Sequence, residues 1–308
     1  MTTRSWQDWS CTVRVVVGQD ETVPEATMDE AVATVRELMA DVDGAVSRFR
    51  EDSELEAVND GAPRLLPVGA LTLTLVEAAL EAAERTDGAV DPTVGGHVAS
   101  WGYDADIAAV RAAAPTRHVR PVAAPPADWR RVVVDHQLRR IGVARGLRLD
   151  LGATAKAWTA DEAARRVAAH HGAPTLVEIG GDVAVAGSTV APWRVRVAET
   201  AEGPGEVIGL THGGLATSST VARRWRTDIG EAHHVVDPRT GAPADGDIRT
   251  ASVWAPTCVL ANTYSTASLI WGDSAAARLE SAGLSARLVD QGGAVHRVGS
   301  WPVGERVA

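Results

Sequence analysis

The order of strand-like and helix-like patterns is the strongest constraint on the fold of this chain. Alternating or short apolar runs predict strands at 11–17, 131–135, 138–143, 176–179, 183–186, 193–197, 250–254, 286–290 and 294–299. Helical spacing predicts helices at 27–42, 70–86, 154–170, 257–271 and 274–282. The two kinds of element mix without a regular βαβ period, so the pattern favours an α+β fold over a doubly wound α/β fold.

The 308 residues are enough for one large domain or two small ones, and no internal repeat is visible. We expect a single domain spanning 1–308. The stretch 104–128 is rich in Ala and Pro and predicts an excursion on the surface.

Charge and composition exclude several classes of protein. The net charge of −10 argues against a nucleic-acid-binding protein, which would need a basic face. Cys11 and Cys258 form no Cys-x-x-Cys pair, so a zinc site or a disulfide framework is not indicated. No run approaches the length of a membrane span, and no signal peptide or lipid-attachment cysteine is seen. We therefore expect a soluble protein in the cytoplasm.

Two residue types occur once each. Lys156 is the single Lys among 30 basic residues, and Phe49 is the single Phe beside 10 Trp. A compact ammonium suits a tight phosphate or carboxylate pocket that a broad guanidinium does not fit. Chance is the alternative for either residue taken alone.

The segment from Asp150 to Lys156 places a carboxylate before a predicted helix and an ammonium in its first turn. Helix N-termini offer free N–H groups to anions, and Gly152 with neighbouring alanines lets a ligand approach the backbone. The alternative is an acidic residue that stabilises its helix, together with a solvated Lys.

Three further motifs are ambiguous on their own. Gly180-Gly181 between two strands indicates a bulge, a close backbone contact or a plain turn. The hydroxyl run 216–220 could hold phosphate oxygens or a peptide, or form a polar loop. His234 precedes a Pro-Arg-Thr-Gly turn, where a His can accept a proton from an attacking hydroxyl or simply lie on the surface.

Asn262 and Thr266 lie four residues apart on the last long predicted helix, so they share one face. Two side-chain oxygens on one face can hold a hard cation when a substrate phosphate supplies anionic oxygens. The alternative is an ordinary polar surface.

The order of these motifs resembles that of the FAD:protein FMN transferase family (ApbE-type flavin transferases). The segments that carry the resemblance are Ser47-Arg48-Phe49 with Asp52-Ser53-Glu54-Leu55 and Asn59, residues 86–94, Trp101-Gly102-Tyr103, residues 150–156, Ile179-Gly180-Gly181-Asp182, Ala216-Thr217-Ser218, residues 234–241 and Ala255-Pro256-Thr257. Together they span most of the chain.

This resemblance implies a T-fold-like α+β architecture, in which helices pack on a mixed antiparallel sheet. It implies magnesium-dependent cleavage of FAD, with transfer of FMN to a Thr or Ser hydroxyl on a loop of an acceptor protein and release of AMP. The FAD-binding positions it implies are Phe49, Ala89, Val90, Asp91, Asp150, Lys156 and Val236. The implied magnesium ligands are Ala153 and Ser265 through their backbone oxygens, and Asn262 and Thr266 through their side chains. His234 is the implied base, with Lys156 as its catalytic partner near the phosphates.

The chain departs from the family pattern at several positions. The family usually has Asp where this chain has Asn262, Phe where it has Val90, and Gly where it has Ala157. An early Met-Gly-Thr is replaced by Trp9-Ser10-Cys11. Two alternatives stay open. Loss of a carboxylate at position 262 favours an FAD-binding protein without transferase activity, and a pyrophosphatase that yields FMN and AMP would differ from the transferase only in using water as the nucleophile.

Overall fold

The computed structural model describes residues 1–19, 22–112, 119, 125–200, 203–302 and 304–307. The helices are α1 Glu25–Val46, α2 Glu54–Gly61, α3 Ala70–Arg85, α4 Gly95–Ser100, α5 Ile107–Ala112, α6 Ala155–His171, α7 Cys258–Trp271 and α8 Ala275–Ser281. The strands are β1 Thr2–Asp8, β2 Cys11–Val17, β3 Leu66–Pro67, β4 Val132–Asp135, β5 Arg140–Val143, β6 Thr175–Ile179, β7 Asp182–Ala186, β8 Trp193–Ala198, β9 Gly205–Leu210, β10 Gly214–Ser219, β11 Arg224–Thr227, β12 Gly230–His233, β13 Val236–Asp237, β14 Ala242–Pro243, β15 Ile248–Ala255, β16 Ser285–Asp290, β17 Val295–Val298 and β18 Glu305–Val307.

The chain divides into two compact units, each built from separated stretches. The first, here called the sheet unit, comprises Met1–Met39, Lys156–Ala222 and Gly246–Ala308. The second, here called the insert unit, comprises Ala40–Ala155 and Arg223–Asp245. The expectation of one domain over 1–308 stays a prediction.

An eight-stranded antiparallel sheet organises the sheet unit, in the order β1-β2-β6-β7-β10-β15-β16-β17. A three-stranded sheet, β18-β9-β8, belongs to the same unit. Helix α7 packs against β10 and β15 in the middle of the large sheet. One apolar cluster in this unit contains Val16, Leu176, Val183, Trp193, Val197, Ile208, Leu210, Leu215 and Trp301. One face of α7 therefore lies against the central strands of the large sheet.

Short sheets and helices form the insert unit, where β3-β5-β4 make one sheet and β11-β12 and β13-β14 make two hairpin-like pairs. A second apolar cluster contains Val98, Tyr103, Ile107, Val110, Trp225, Ala232 and Val236. Within the predicted excursion 104–128, α5 therefore packs through two buried residues. Residues 113–118 and 120–124 of that excursion lie outside the described residues.

The predicted elements are present with small shifts of their ends, and the α+β class is confirmed. The first helix begins at Glu25, ahead of its predicted start at 27. The hydroxyl run 216–220 is not a polar loop, because most of it lies in β10, between β7 and β15. Among the described helices, none is long and apolar enough to cross a membrane.

Two groups cap the N-terminus of α7. The Thr257 hydroxyl accepts a hydrogen bond from the Leu260 N–H at 3.1 Å. The Asp161 carboxylate accepts from the N–H groups of Cys258 and Val259 at 2.9 and 3.0 Å. Burial is the main cause that raises the pKa of Asp161 to about 6, and the nearby Asp182 carboxylate adds to it. Asp161 is therefore a titrating cap.

This cap makes stability depend on pH. The folded-state pKa of Asp161, about 6, lies above its ordinary value of 3.8. The contribution of Asp161 protonation to the free energy of unfolding is therefore full below about pH 4 and is lost as the pH rises through about 6. We expect the free energy of unfolding of the wild type, relative to Asp161→Asn, to fall by about 2–3 kcal/mol from pH 4 to pH 7. Urea denaturation at both pH values measures this, and a pH-independent difference would contradict it.

Candidate active site

A tight hairpin sets the position of one acidic residue in the sheet unit. Strands β6 and β7 pair so that Ile179 lies opposite Asp182, with Gly180 and Gly181 between them. Both glycines have positive φ, 62° and 95°, which two-residue hairpin turns favour. A Cβ added to Gly180 would lie 2.9 Å from the Cys11 side chain. The double glycine is therefore a turn with a close contact, and it brings Asp182 to the first position of β7.

Asp182 connects two residues that the sequence singled out separately. Its Oδ2 accepts a hydrogen bond from Lys156 Nζ at 3.1 Å, and its Oδ1 accepts from Asn262 Nδ2 at 2.7 Å. The Asp182 side chain is 2% exposed and that of Lys156 is 20% exposed. The lone Lys of the chain is thus held by a buried carboxylate, with its ammonium still partly open to solvent.

The predicted metal face of α7 is a cluster of neutral oxygens. The Thr266 hydroxyl donates to Asn262 Oδ1 at 3.3 Å, which confirms that the two residues share one helix face. Ser218 of β10 shares hydrogen bonds with the hydroxyls of Ser265 and Thr266, at 2.8 and 2.9 Å. Asn262 is 5% exposed, so the alternative of an ordinary polar surface is wrong for it.

In the insert unit, a buried ion pair precedes α6. Arg48 Nε lies 3.0 Å from Asp150 Oδ2, and both side chains are largely buried. Asp150 Oδ1 also accepts from the Gly152 N–H at 2.7 Å, and Arg48 Nη1 donates to the Tyr103 carbonyl at 2.5 Å. Arg48 Nη2 is buried and has no hydrogen-bond partner within the described part of the chain. A bound acceptor would remove the cost of that unpaired donor.

An aromatic cluster surrounds this pair, with Tyr103 at its centre. The Tyr103 ring stacks on Trp225 at 5.3 Å between centroids, and Phe49 and His234 meet it edge-on at 5.9 and 6.3 Å. The Arg48 guanidinium lies 4.3 Å from the Phe49 centroid and 4.5 Å from that of Tyr103. Phe49 is 47% exposed, so it presents an aromatic surface to solvent.

The remaining predicted positions of the insert unit lie in short segments. Val90 and Val236 are buried, whereas Ala89 and Ala153 are half-buried. Asp91 accepts from the backbone N–H and hydroxyl of Thr93 and from the Trp129 N–H. Burial raises the pKa of the Asp91 carboxyl, although these hydrogen bonds oppose the shift. Asp91 therefore braces its own loop, and its contact with FAD stays a prediction.

Four residues of these clusters were not predicted as site residues. They are Arg48, Tyr103, Asp182 and Ser218. Each stands inside a motif noted from the sequence, such as Ser47-Arg48-Phe49 or Trp101-Gly102-Tyr103. The motif was the available signal, but it did not show which of its members contact one another.

Comparison with known proteins assigns the family. A family model described as the ApbE family matches residues 8–286. The chain belongs to the ApbE family. It is 30% identical over 287 residues to the FAD:protein FMN transferase of Treponema pallidum, covering 85% of this chain and 76% of that protein. It is 28% identical over 240 residues to the FAD:protein FMN transferase of Salmonella typhimurium, covering 75% and 68% of the two chains.

Solved structures of ApbE proteins share the fold. The ApbE protein of Thermotoga maritima superposes with a TM-score of 0.84 at 27% identity, covering 96% of each chain. The flavinyl transferase ApbE of Pseudomonas stutzeri, in its apo form, gives a TM-score of 0.77 at 22% identity, covering 96% of this chain and 94% of that one. The predicted ApbE-like architecture is confirmed.

Proposed function

We propose that this chain transfers FMN from FAD to a Thr or Ser hydroxyl of an acceptor protein. The similarity to the Treponema pallidum FAD:protein FMN transferase, 30% over 287 residues, is the observation that carries the proposal. In this reaction the acceptor oxygen forms a bond to the FMN phosphorus, the bond from that phosphorus to the bridging oxygen breaks, and AMP leaves with the bonding electrons.

The polar cluster of the sheet unit suits the phosphates of FAD. Lys156 is held by Asp182 yet remains partly exposed, so its ammonium can meet an anion. The amide oxygen of Asn262 and the hydroxyl oxygen of Thr266 are hard, neutral metal ligands. They fit a weak magnesium site that is completed by phosphate oxygens. The backbone oxygen of Ser265 would add a ligand, and the role of Ala153 as a metal ligand stays a prediction. A magnesium ion bound there would neutralise charge on the pyrophosphate.

The aromatic cluster of the insert unit suits the flavin ring. Phe49 has the exposed aromatic surface that stacking needs, and the Arg48–Asp150 pair beside it offers hydrogen-bonding groups. Ala89, Val90 and Asp91 would line the FAD, and Val236 would lie along its adenosine side. His234, edge-on to Tyr103, would accept the proton of the attacking hydroxyl.

The test measures AMP release and acceptor labelling together. The protein is incubated with FAD and magnesium, with and without an acceptor peptide that presents a Thr or Ser loop. AMP that appears only with labelled peptide supports the transferase. AMP without peptide indicates a pyrophosphatase, and flavin binding without AMP indicates a non-catalytic binding protein. Either of the last two results would overturn the proposal.

Two further expectations concern the location of the protein and its partners. The location in the cytoplasm and the lack of nucleic-acid binding stay predictions, and the latter rests on the net charge of −10.

A further inference from the structure

The hydrogen bond between Asp182 and Asn262 bears on the departure at position 262. Asn262 stands where related chains usually carry Asp, and its side chain is buried beside a carboxylate on the neighbouring hairpin. A carboxylate at 262 would place two negative groups at the contact that now measures 2.7 Å. Like charges at so short a distance in a buried place are strongly unfavourable. In this chain, the charges of residues 182 and 262 are therefore coupled when no cation lies between them.

The same contact fixes the orientation of the Asn262 amide. An ionised carboxylate only accepts hydrogen bonds, so the amide must turn its NH₂ group toward Asp182. Its oxygen then faces the other way, where it accepts from the Thr266 hydroxyl at 3.3 Å. A freely rotating Asn could present either its NH₂ group or its oxygen, and only the oxygen can bind a cation.

Lys156 completes this arrangement. Asp182 Oδ2 accepts from the Lys156 ammonium, so the carboxylate uses one oxygen for Lys156 and the other for Asn262. Its negative charge lies one hydrogen bond behind the Asn262 amide and polarises it, as carboxylates do behind metal ligands. The cluster thus holds one buried carboxylate beside the neutral Asn262 amide.

We propose that Asp182 is a positioning residue for the Asn262 amide and the Lys156 ammonium. It orients the Asn262 oxygen toward the proposed magnesium ion and the Lys156 ammonium toward the FAD phosphates. Asp182 itself binds no metal. The inference rests on the proposed function for the identity of the cation. The coupling between 182 and 262 does not depend on it.

The test exchanges the two side chains. The variants are Asp182→Asn, Asn262→Asp and the double exchange, with Asp273→Asn, an exposed change next to α7, as the matched control. In the double exchange, the new amide at 182 can accept from Lys156 and donate to the new carboxylate at 262. Thermal unfolding is measured in EDTA, and Mg²⁺ binding is measured by calorimetry with the metal alone.

In EDTA, each single variant should lower the melting temperature by about 4 °C or more, and the double exchange should regain most of that loss. Mg²⁺ affinity should rise on the order of tenfold in Asn262→Asp and in the double exchange, and it should fall in Asp182→Asn. If the single variants fail to fold, a folded double exchange supports the coupling. Additive shifts, or a double exchange that does not fold, would overturn it.

AMP release by the wild-type protein, measured in parallel, keeps the two proposals separate. A silent wild type whose variants still show the coupling would refute the activity but not the role of Asp182. An active wild type with additive shifts would refute the role of Asp182 alone.

Discussion

Arg48→Met should lower the free energy of unfolding by about 3–5 kcal/mol, because it leaves the largely buried Asp150 carboxylate without its partner. It also removes the guanidinium that lies close to both the Phe49 and the Tyr103 rings. Met keeps a similar length of apolar side chain, so lost packing accounts for little of the effect. Urea denaturation at pH 7 measures the change.

Arg50→Met is the matched control, two residues away. Arg50 pairs with Asp43 and Asp52 at the surface, and its own side chain is 45% exposed. Exposed pairs contribute little, so the expected loss is below about 1 kcal/mol. Equal losses for the two variants would mean that the Arg48–Asp150 pair is no more important to the fold than a surface pair.

A second variant separates the fold from binding. Arg48→Met combined with Asp150→Leu replaces both charges by apolar groups, which is often tolerated in buried places. We expect most of the stability to return while FAD binding stays weak, since Asp150 is a proposed FAD contact. Tight FAD binding by this double variant would remove Asp150 from the proposed site.

Local patterns predicted α1, α3, α6, α7 and α8, because helical spacing depends on residues close in sequence, but they missed the short helices α2, α4 and α5. The register of α7 is an example, since the spacing from Asn262 to Thr266 is enough to place both on one face. The predicted start of this helix at 257 agrees with the N-cap that Thr257 forms. The same local reasoning found the turn at Gly180 and Gly181 but could not choose among its forms.

Contacts between distant segments were beyond that reasoning. Asp182 meets Asn262 only because β7 and β10 are neighbours in the sheet and α7 packs on β10. Strand β10 itself was obscured by its run of small hydroxyl residues, which shows no apolar alternation. Its Thr217 pairs instead with Ser252 of β15, hydroxyl to hydroxyl at 2.8 Å. Such pairs stabilise a strand without giving a hydrophobic signal.

His234→Gln should lower the rate of transfer to an acceptor peptide by about 10²- to 10⁴-fold, which is the usual contribution of a positioned general base. The neighbouring His233 is not a competing candidate. Its Nε2 lies 2.9 Å from the Ala244 carbonyl, its side chain is buried, and burial lowers its pKa, which makes it a weaker proton acceptor. His234 is half-buried and packs edge-on against Tyr103.

The experiment compares turnover with binding. FAD affinity should change little in His234→Gln, because Gln keeps a polar side chain of similar reach and the loss concerns proton transfer. His136→Gln is the control, because His136 is exposed in the same unit and its imidazole pairs with Glu77. This variant should leave the transfer rate and the FAD affinity unchanged. Initial rates of AMP release and peptide labelling, with FAD affinity from fluorescence titration, give the answer. A His234→Gln protein that labels the peptide at the wild-type rate would require another base. A parallel loss of FAD affinity would make His234 a binding residue, because an interaction needed only in the transition state leaves substrate binding intact.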